Sequence, residues 1–267
     1  MDTAVLQITN KCPFDCPQCY MLKGNQNMDF AIAVEAIRKA KSLGAKAIQF
    51  TGGEPMCYPY LNEIVSFCAQ QELYSIVATS GYGCSLYRYK HLADSGLTAV
   101  CISLNSLLEK TNEQTRDGYA FAMSAIDCAI KSGLLCFVNL VLTKETVASL
   151  RKTVELLKEK GVVGVELLKR LPNYLGEIPK GLTSNQLSIV NDVQQSNKDF
   201  VRVEKCCFEY WKKYGDKKEI SCADAGRKCV FWNVDGFVSP CSKQMNCKFS
   251  SVEEMLQNKD KWGDLCY

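Results

Sequence analysis

Cys12-Pro13-Phe14-Asp15-Cys16-Pro17-Gln18-Cys19 sets three thiols at the spacing C-x3-C-x2-C, on a loop that follows the first apolar run of the chain, residues 4–9. Thiolates are soft ligands, and three in one short loop can hold three irons of a [4Fe-4S] cube while the fourth iron stays open. A closed structural site needs a fourth ligand close by. The next cysteine is Cys57, beyond another loop, so the triplet reads as an open site, with a zinc or purely structural cluster as the alternative.

Outward from this loop, short apolar runs with β-branched character alternate with segments of helical period. Strands are expected at 4–9, 47–51, 74–79, 99–104, 135–142 and 163–168. Between them Phe30, Ala33, Val34, Ile37 and Ala40 recur at helical spacing, as do Leu61, Ile64, Val65 and Cys68, and later Leu150, Val154 and Leu157. Gly44, Gly96, Gly133 and Gly161 each stand a few residues before a strand, where a left-handed helix cap is needed. This rhythm is that of βα units around a parallel sheet. Residues 171–189 read as a loop that enters a helix with Ser184 as its N-cap, running to about residue 196. The composition then changes, with seven cysteines between Cys206 and Cys266, and a boundary is placed near residue 200.

The 267 residues are 47% hydrophobic, enough for one large α/β domain and a small appendage. A net charge of +3 without a basic run does not ask for nucleic acid. No signal-peptide pattern opens the chain and no apolar run has the length of a membrane span. Sixteen cysteines without an export signal suit a reducing cytoplasm better than a disulfide framework. The only histidine, His91, makes His-rich metal sites and Ser-His or Cys-His nucleophile pairs improbable, and it reads as a surface residue. Cys57, Cys68, Cys84, Cys101, Cys128 and Cys136 read as packing residues.

The cysteine triplet, followed after the second strand by Gly52-Gly53-Glu54-Pro55, resembles the radical SAM superfamily, whose members carry both motifs in this order. The resemblance implies a partial (β/α)6 TIM-like barrel over residues 1–200. It also implies S-adenosylmethionine (SAM) bound at a [4Fe-4S] cluster on Cys12, Cys16 and Cys19. Functional residues of such barrels sit on loops after the C-terminal ends of the strands. Tyr20 is the candidate for the adenine, although many relatives carry an aromatic at the position of Gln18. Gly52 and Gly53 would let the backbone approach the methionine part, and Glu54 would hold its ammonium. Thr79-Ser80-Gly81 is similar to the family's Thr-Asn-Gly turn, with an ordinary turn as the alternative. Ser103 and Asn105, two residues apart on a strand, are expected to face the barrel and meet the ribose, where relatives often have Asp in place of Asn105. Asn139, a polar residue in an apolar strand, is a candidate for SAM or substrate, or else a satisfied core asparagine. Arg170 is a candidate for the SAM carboxylate or a substrate anion, or else a surface ion pair.

In the tail, Cys222 is followed at C-x13-G-x4-C spacing by Gly236 and Cys241. This looks like the start of a SPASM or twitch auxiliary-cluster domain, here residues 201–267. Locally, Asn233-Val234-Asp235-Gly236 suits a type I turn with Gly236 in a G1 bulge, pairing Asn233 with Phe237 and putting Cys229 and Cys241 on one face. Cys222, Cys241, Cys247 and Cys229 are the expected ligands of one auxiliary [4Fe-4S] cluster, with Cys266 as the substitute. A cysteine left over, Cys206, Cys207 or Cys266, is a candidate hydrogen-atom donor.

The resemblance implies reductive SAM cleavage and hydrogen abstraction from a substrate carbon. It points to modification of a ribosomally made peptide by crosslink, thioether, dehydrogenation or epimerisation. A sugar or other small metabolite is the alternative substrate, and a non-catalytic zinc or iron-sulfur module the distant one. Implied partners are a flavodoxin or ferredoxin and a separate leader-peptide-binding protein, since the first strand begins near residue 4. Seven tail cysteines are one too few for two closed clusters, so anaerobic iron analysis should find about eight irons per chain, and about twelve would overturn the single tail cluster.

Overall fold

The computed structural model describes residues 1–215 and 225–262. One sheet runs through it. Its strands are β1 (Thr3–Thr9), β2 (Ala47–Gly52), β3 (Tyr74–Thr79), β4 (Ala99–Ser103), β5 (Leu135–Leu142), β6 (Gly164–Lys169), β7 (Val201–Val203), β8 (Cys229–Trp232) and β9 (Val238–Ser239), in the spatial order β7-β6-β5-β4-β3-β2-β1-β8-β9. All neighbours are parallel except β8 and β9. The helices are α1 (Phe30–Ser42), α2 (Leu61–Gln70), α3 (Leu86–Asp94), α4 (Glu109–Glu113), α5 (Tyr119–Lys131), α6 (Lys144–Glu159), α7 (Ser184–Ser196), α8 (Phe208–Tyr214) and α9 (Val252–Gln257).

The six expected strands are present, and the fold is the α/β parallel sheet of a partial barrel. Strand residues that point at the helices, such as Leu6, Ile8, Ile48, Phe50, Val77, Val100, Ile102, Val138, Leu140, Val165 and Leu167, are buried in the main core. They pack against Ala33, Ile37, Ile64, Leu92, Ile126 and Leu150 of the helices. The opposite face alternates with them and is mixed, with Gln49, Ser103, Asn139 and Glu166 among apolar residues such as Val5, Ile76, Phe137 and Val141. Parallel strands covered on both sides read as continuous apolar runs. The polar residues that interrupt this pattern lie on the concave inner face.

The glycine caps are realised, for example at Gly44 (φ +83°) after α1 and Gly161 (φ +88°) after α6. One cap differs from expectation. Thr183, not Ser184, caps α7, because Gln186 three residues on closes a capping box with Thr183 and leaves Ser184 inside the first turn.

The change in composition near residue 200 brings no break in the sheet. β7 adds to the edge beyond β6, while β8 lies parallel on β1 with Thr3 to Leu6 opposite Cys229 to Trp232. The hairpin has the expected turn. Asn233 donates its N–H to the Phe237 carbonyl at 2.9 Å, Gly236 has φ +87°, and Trp232 lies opposite Val238. The ladder ends at Phe231–Ser239, short of Cys229 and Cys241. Phe231 is fully buried beside Val5 on the inner side. Its truncation to Ala should cost about 3–5 kcal/mol in urea unfolding, the range for buried aromatics. A loss under about 1 kcal/mol would mean that β8 is not part of the cooperative core.

Candidate active site

The loop after β1 is clamped from several sides. Asp15 N–H donates to the Asp117 carboxylate at 2.8 Å, Gln18 N–H donates to the Thr115 carbonyl at 3.3 Å, and Cys19 N–H donates to the Cys16 carbonyl at 3.0 Å. Lys23 bonds the Phe14 carbonyl and pairs with Asp15. The Phe14 ring packs edge-on against Tyr82 and Phe121, with centroids 5.9 and 5.6 Å away. On the far side, Tyr174 N–H donates to the Cys19 carbonyl at 2.9 Å and Asn173 Nδ2 to that of Pro17 at 3.3 Å.

This holds Cys12, Cys16 and Cys19, all free thiols, on one short loop at the C-terminal end of β1. Burial pushes the Cys12 thiol up to about 11 and raises Cys16 as well. Iron binding would have to displace those protons, as thiolate ligation does. Among the described residues no three His, Cys, Asp or Glu side chains converge as ligands of a single metal ion. A cube does not require that, because each thiolate meets a different iron. Three soft donors on one braced loop fit the cluster.

The loop after β2 is docked on the stem of the cysteine loop. Gly53 N–H donates to the Thr9 carbonyl at 2.8 Å and Glu54 N–H to the Lys11 carbonyl at 2.7 Å. A Cβ on Gly52 would stand 2.1 Å from the Thr9 oxygen and one on Gly53 2.2 Å from the Lys11 oxygen. The two glycines therefore serve a backbone-to-backbone contact inside the protein. Glu54 is fully buried. Its carboxylate accepts from Met56 N at 3.0 Å, Thr79 Oγ1 at 2.6 Å, Ser80 N at 2.7 Å and Ser80 Oγ, which joins the loops after β2 and β3. Thr79 and Ser80 thus hold the buried Glu54 carboxylate in place.

Asn105 does not present its side chain to the open groove. It is fully buried, donating Nδ2 to Gln18 Oε1 at 2.8 Å and to Thr115 Oγ1 at 2.7 Å while Oδ1 accepts from Val141 N at 3.0 Å. Gln18 and Asn105, two of the positions that depart from the family pattern, bond to each other. Ser103 and Asn139 lie opposite each other on the inner face, and Asn139 Oδ1 is buried without a hydrogen-bond partner, an acceptor suited to a ligand. Arg170 sits half-buried just past the end of β6.

The tail reaches this end of the sheet. The Tyr20 ring is about one-third exposed, and its hydroxyl bonds Ser242 near Lys243 and Glu204, while burial raises its phenol pKa. Lys243 forms an ion pair with Glu204, whose other oxygen accepts from Lys169 N at 3.1 Å. Cys229, Cys241 and Cys247 are half-buried free thiols. Cys207 is packed into the core and burial pushes it up to about 12, whereas Cys206 is half-buried and within electrostatic reach of Lys243. Cys222 and Cys266 lie outside the described residues. His91 stacks on the exposed Tyr87 and bonds Asn62 at the surface.

A family model described as "Radical SAM superfamily" matches residues 6–157. The PqqA peptide cyclase of Gluconobacter oxydans is 29% identical over 168 residues, 60% of this chain and 47% of the relative. That of Methylobacterium nodulans is 24% identical over 250 residues, 88% of this chain and 65% of the relative. The chain thus spans about half to two-thirds of the curated relatives it matches. The crystal structure of Streptococcus suis SuiB bound to its precursor peptide SuiA superposes with a TM-score of 0.77 at 18% identity, covering 98% of this chain and 64% of SuiB, which is a likeness of fold. Family membership implies SAM and a [4Fe-4S] cluster.

Gly53→Ala should displace the docked loop, since its Cβ meets a backbone oxygen at 2.2 Å. Misplacement on the ångström scale costs on the order of 100-fold in rate, so SAM cleavage should fall about that far. Cleavage within about threefold of wild type would show that the contact with the cysteine-loop stem does not position the site.

Proposed function

Because this chain belongs to the radical SAM superfamily, we propose that it modifies a ribosomally made peptide, with the reaction centre at the loops after β1 and β2. The observation that carries the reading is the docking of Gly53 and Glu54 N–H groups onto Thr9 and Lys11, which sets the Gly52-Gly53-Glu54-Pro55 turn beside the three cysteines. Similarity to PqqA peptide cyclases supports a peptide rather than a sugar. Cys12, Cys16 and Cys19 would hold the cluster. Gly52, Gly53 and Glu54, with Thr79, Ser80, Ser103, Asn105, Arg170 and Tyr20 around them, would form or support the SAM site, and Asn139 would meet SAM or the substrate. A cluster held there would supply the one electron needed to cleave the C–S bond of SAM into methionine and a 5'-deoxyadenosyl radical, which would take hydrogen from a substrate carbon. The residues of this chain bind, orient and shield those groups.

Residues 201–267 would carry one auxiliary [4Fe-4S] cluster on Cys222, Cys229, Cys241 and Cys247, with Cys266 as substitute. It would accept an electron or bind a substrate thiolate. The product would be a crosslink, a thioether, a dehydrogenated residue or an epimer. A flavodoxin or ferredoxin would supply electrons and a separate protein would present a leader peptide. The reaction would take place in the cytoplasm; no helix among the described residues is long and apolar enough to cross a membrane.

Changing Cys12, Cys16 and Cys19 together to Ala should abolish formation of 5'-deoxyadenosine from SAM under dithionite while leaving about four irons per chain in the tail. Undiminished SAM cleavage in that variant would refute the site.

A further inference from the structure

The inner faces of β4 to β7 carry a polar row. In register, Ser103 lies opposite Asn139, Asn139 opposite Glu166, and Glu166 opposite Arg202. All four face the concave side, because the residues that alternate with them, such as Val138, Leu140, Val165, Leu167, Val201 and Val203, are buried under the helices.

Two acceptors stand side by side in this row without donors. Asn139 Oδ1 is buried and has no hydrogen-bond partner. The Glu166 carboxylate, reachable from the groove, makes no hydrogen bond or ion pair within 4.0 Å among the described residues. Burial and the neighbouring Glu204 raise its pKa, while Lys243 from the tail and Arg202 from β7 oppose the rise. Cys101 of β4 feels the same carboxylate across β5. Glu204 is already engaged by Lys243 and by Lys169 N–H, so the cation of Lys243 is committed elsewhere.

Arg202 and Lys243 act on the Glu166 carboxylate electrostatically, yet among the described residues neither donates an N–H to it or to Asn139 Oδ1, so the two acceptors share no donor. Adjacent strands lie about 4.8 Å apart, so one ammonium can donate to the Asn139 amide oxygen and the Glu166 carboxylate together. Charge-assisted bonds of this type are the strong ones.

We propose that Asn139 and Glu166 form a subsite for an ammonium group carried by the substrate, a lysine side chain or free amine of the peptide. The subsite rests on the reading that a peptide enters the barrel. SAM also carries an ammonium, and the two sources are separated by measuring both.

The test uses the full chain with its clusters reconstituted anaerobically and SAM bound. Saturation-transfer NMR follows n-butylammonium, with n-butanol as the neutral control, while equilibrium dialysis gives the SAM affinity. The wild-type protein should bind n-butylammonium and not n-butanol. Glu166→Gln should weaken n-butylammonium binding by about tenfold or more, the loss expected for a charge-assisted hydrogen bond, with SAM affinity changed by less than about twofold. Asn139→Ala should weaken n-butylammonium binding as well, and provides the comparison if Glu166→Gln does not fold. No binding to wild type, equal binding to Glu166→Gln, or binding of n-butanol as tight as that of the cation would each overturn the proposal. Parallel loss of SAM and n-butylammonium in Glu166→Gln would overturn it too, by assigning the carboxylate to SAM. None of these readouts needs SAM cleavage, so failure of the radical reaction would count against the proposed function and not against this subsite.

Discussion

The buried carboxylate of Glu54 fixes the geometry on which the rest of the site depends. A fully buried charge is costly unless its lone pairs are filled, and here four donors from Met56, Thr79 and Ser80 fill them. Bonds to an ionised acceptor are stronger than neutral ones, so the carboxylate pulls the loops after β2 and β3 into one unit. The backbone of the same segment grips Thr9 and Lys11. Three consecutive strand ends thereby move as one piece, with the cysteine loop attached to it.

A second buried node does the same for the other strands. Asn105 ties Gln18 of the cysteine loop to Thr115 and to the backbone of β5. The partners Gln18 and Thr115 are themselves buried, so removing the amide would leave their polar groups stranded rather than rehydrated. The cysteine loop is therefore held by Glu54 from one side and Asn105 from the other. The side facing β6 is closed more softly, by the Asn173 side-chain amide, the Tyr174 N–H and the Tyr20, Lys243 and Glu204 group. Rigidity is concentrated where three thiols must keep their spacing, and the looser side borders the groove.

Much of the frame was legible in the sequence because it is encoded locally. Apolar alternation in 47–51 and 135–142 and glycines such as Gly44 and Gly161 report strand faces and helix ends within a few residues. Gly236 specified the hairpin turn in the same way. What was not legible depends on partners far apart in the chain. Gln18 and Asn105 are 87 positions apart, Glu54 and Ser80 are 26 apart, and β8 finds β1 across more than 200 residues. The sequence marked Asn105 as a polar residue at a strand end, and such a residue serves a ligand or a buried network equally well until its neighbours are known. Thr183 and Ser184 are both good caps, and only the bond to Gln186 separates them.

The inner face shows why the remaining polarity is not a defect of packing. A parallel barrel of full closure fills its interior with layers of branched apolar side chains. Here the helix-facing half of each strand supplies that core, so the inner half is free to carry Ser103, Asn139, Glu166 and Arg202 at some cost in stability. An unpartnered amide oxygen beside an unpaired carboxylate is the kind of local conflict that folding alone does not select for. Such conflicts persist where function uses them. The stiff nodes at Glu54 and Asn105 and the unsatisfied row between β4 and β7 are thus two halves of one arrangement. The first spends hydrogen bonds within the protein to hold the reacting groups still, and the second withholds them for whatever enters the groove.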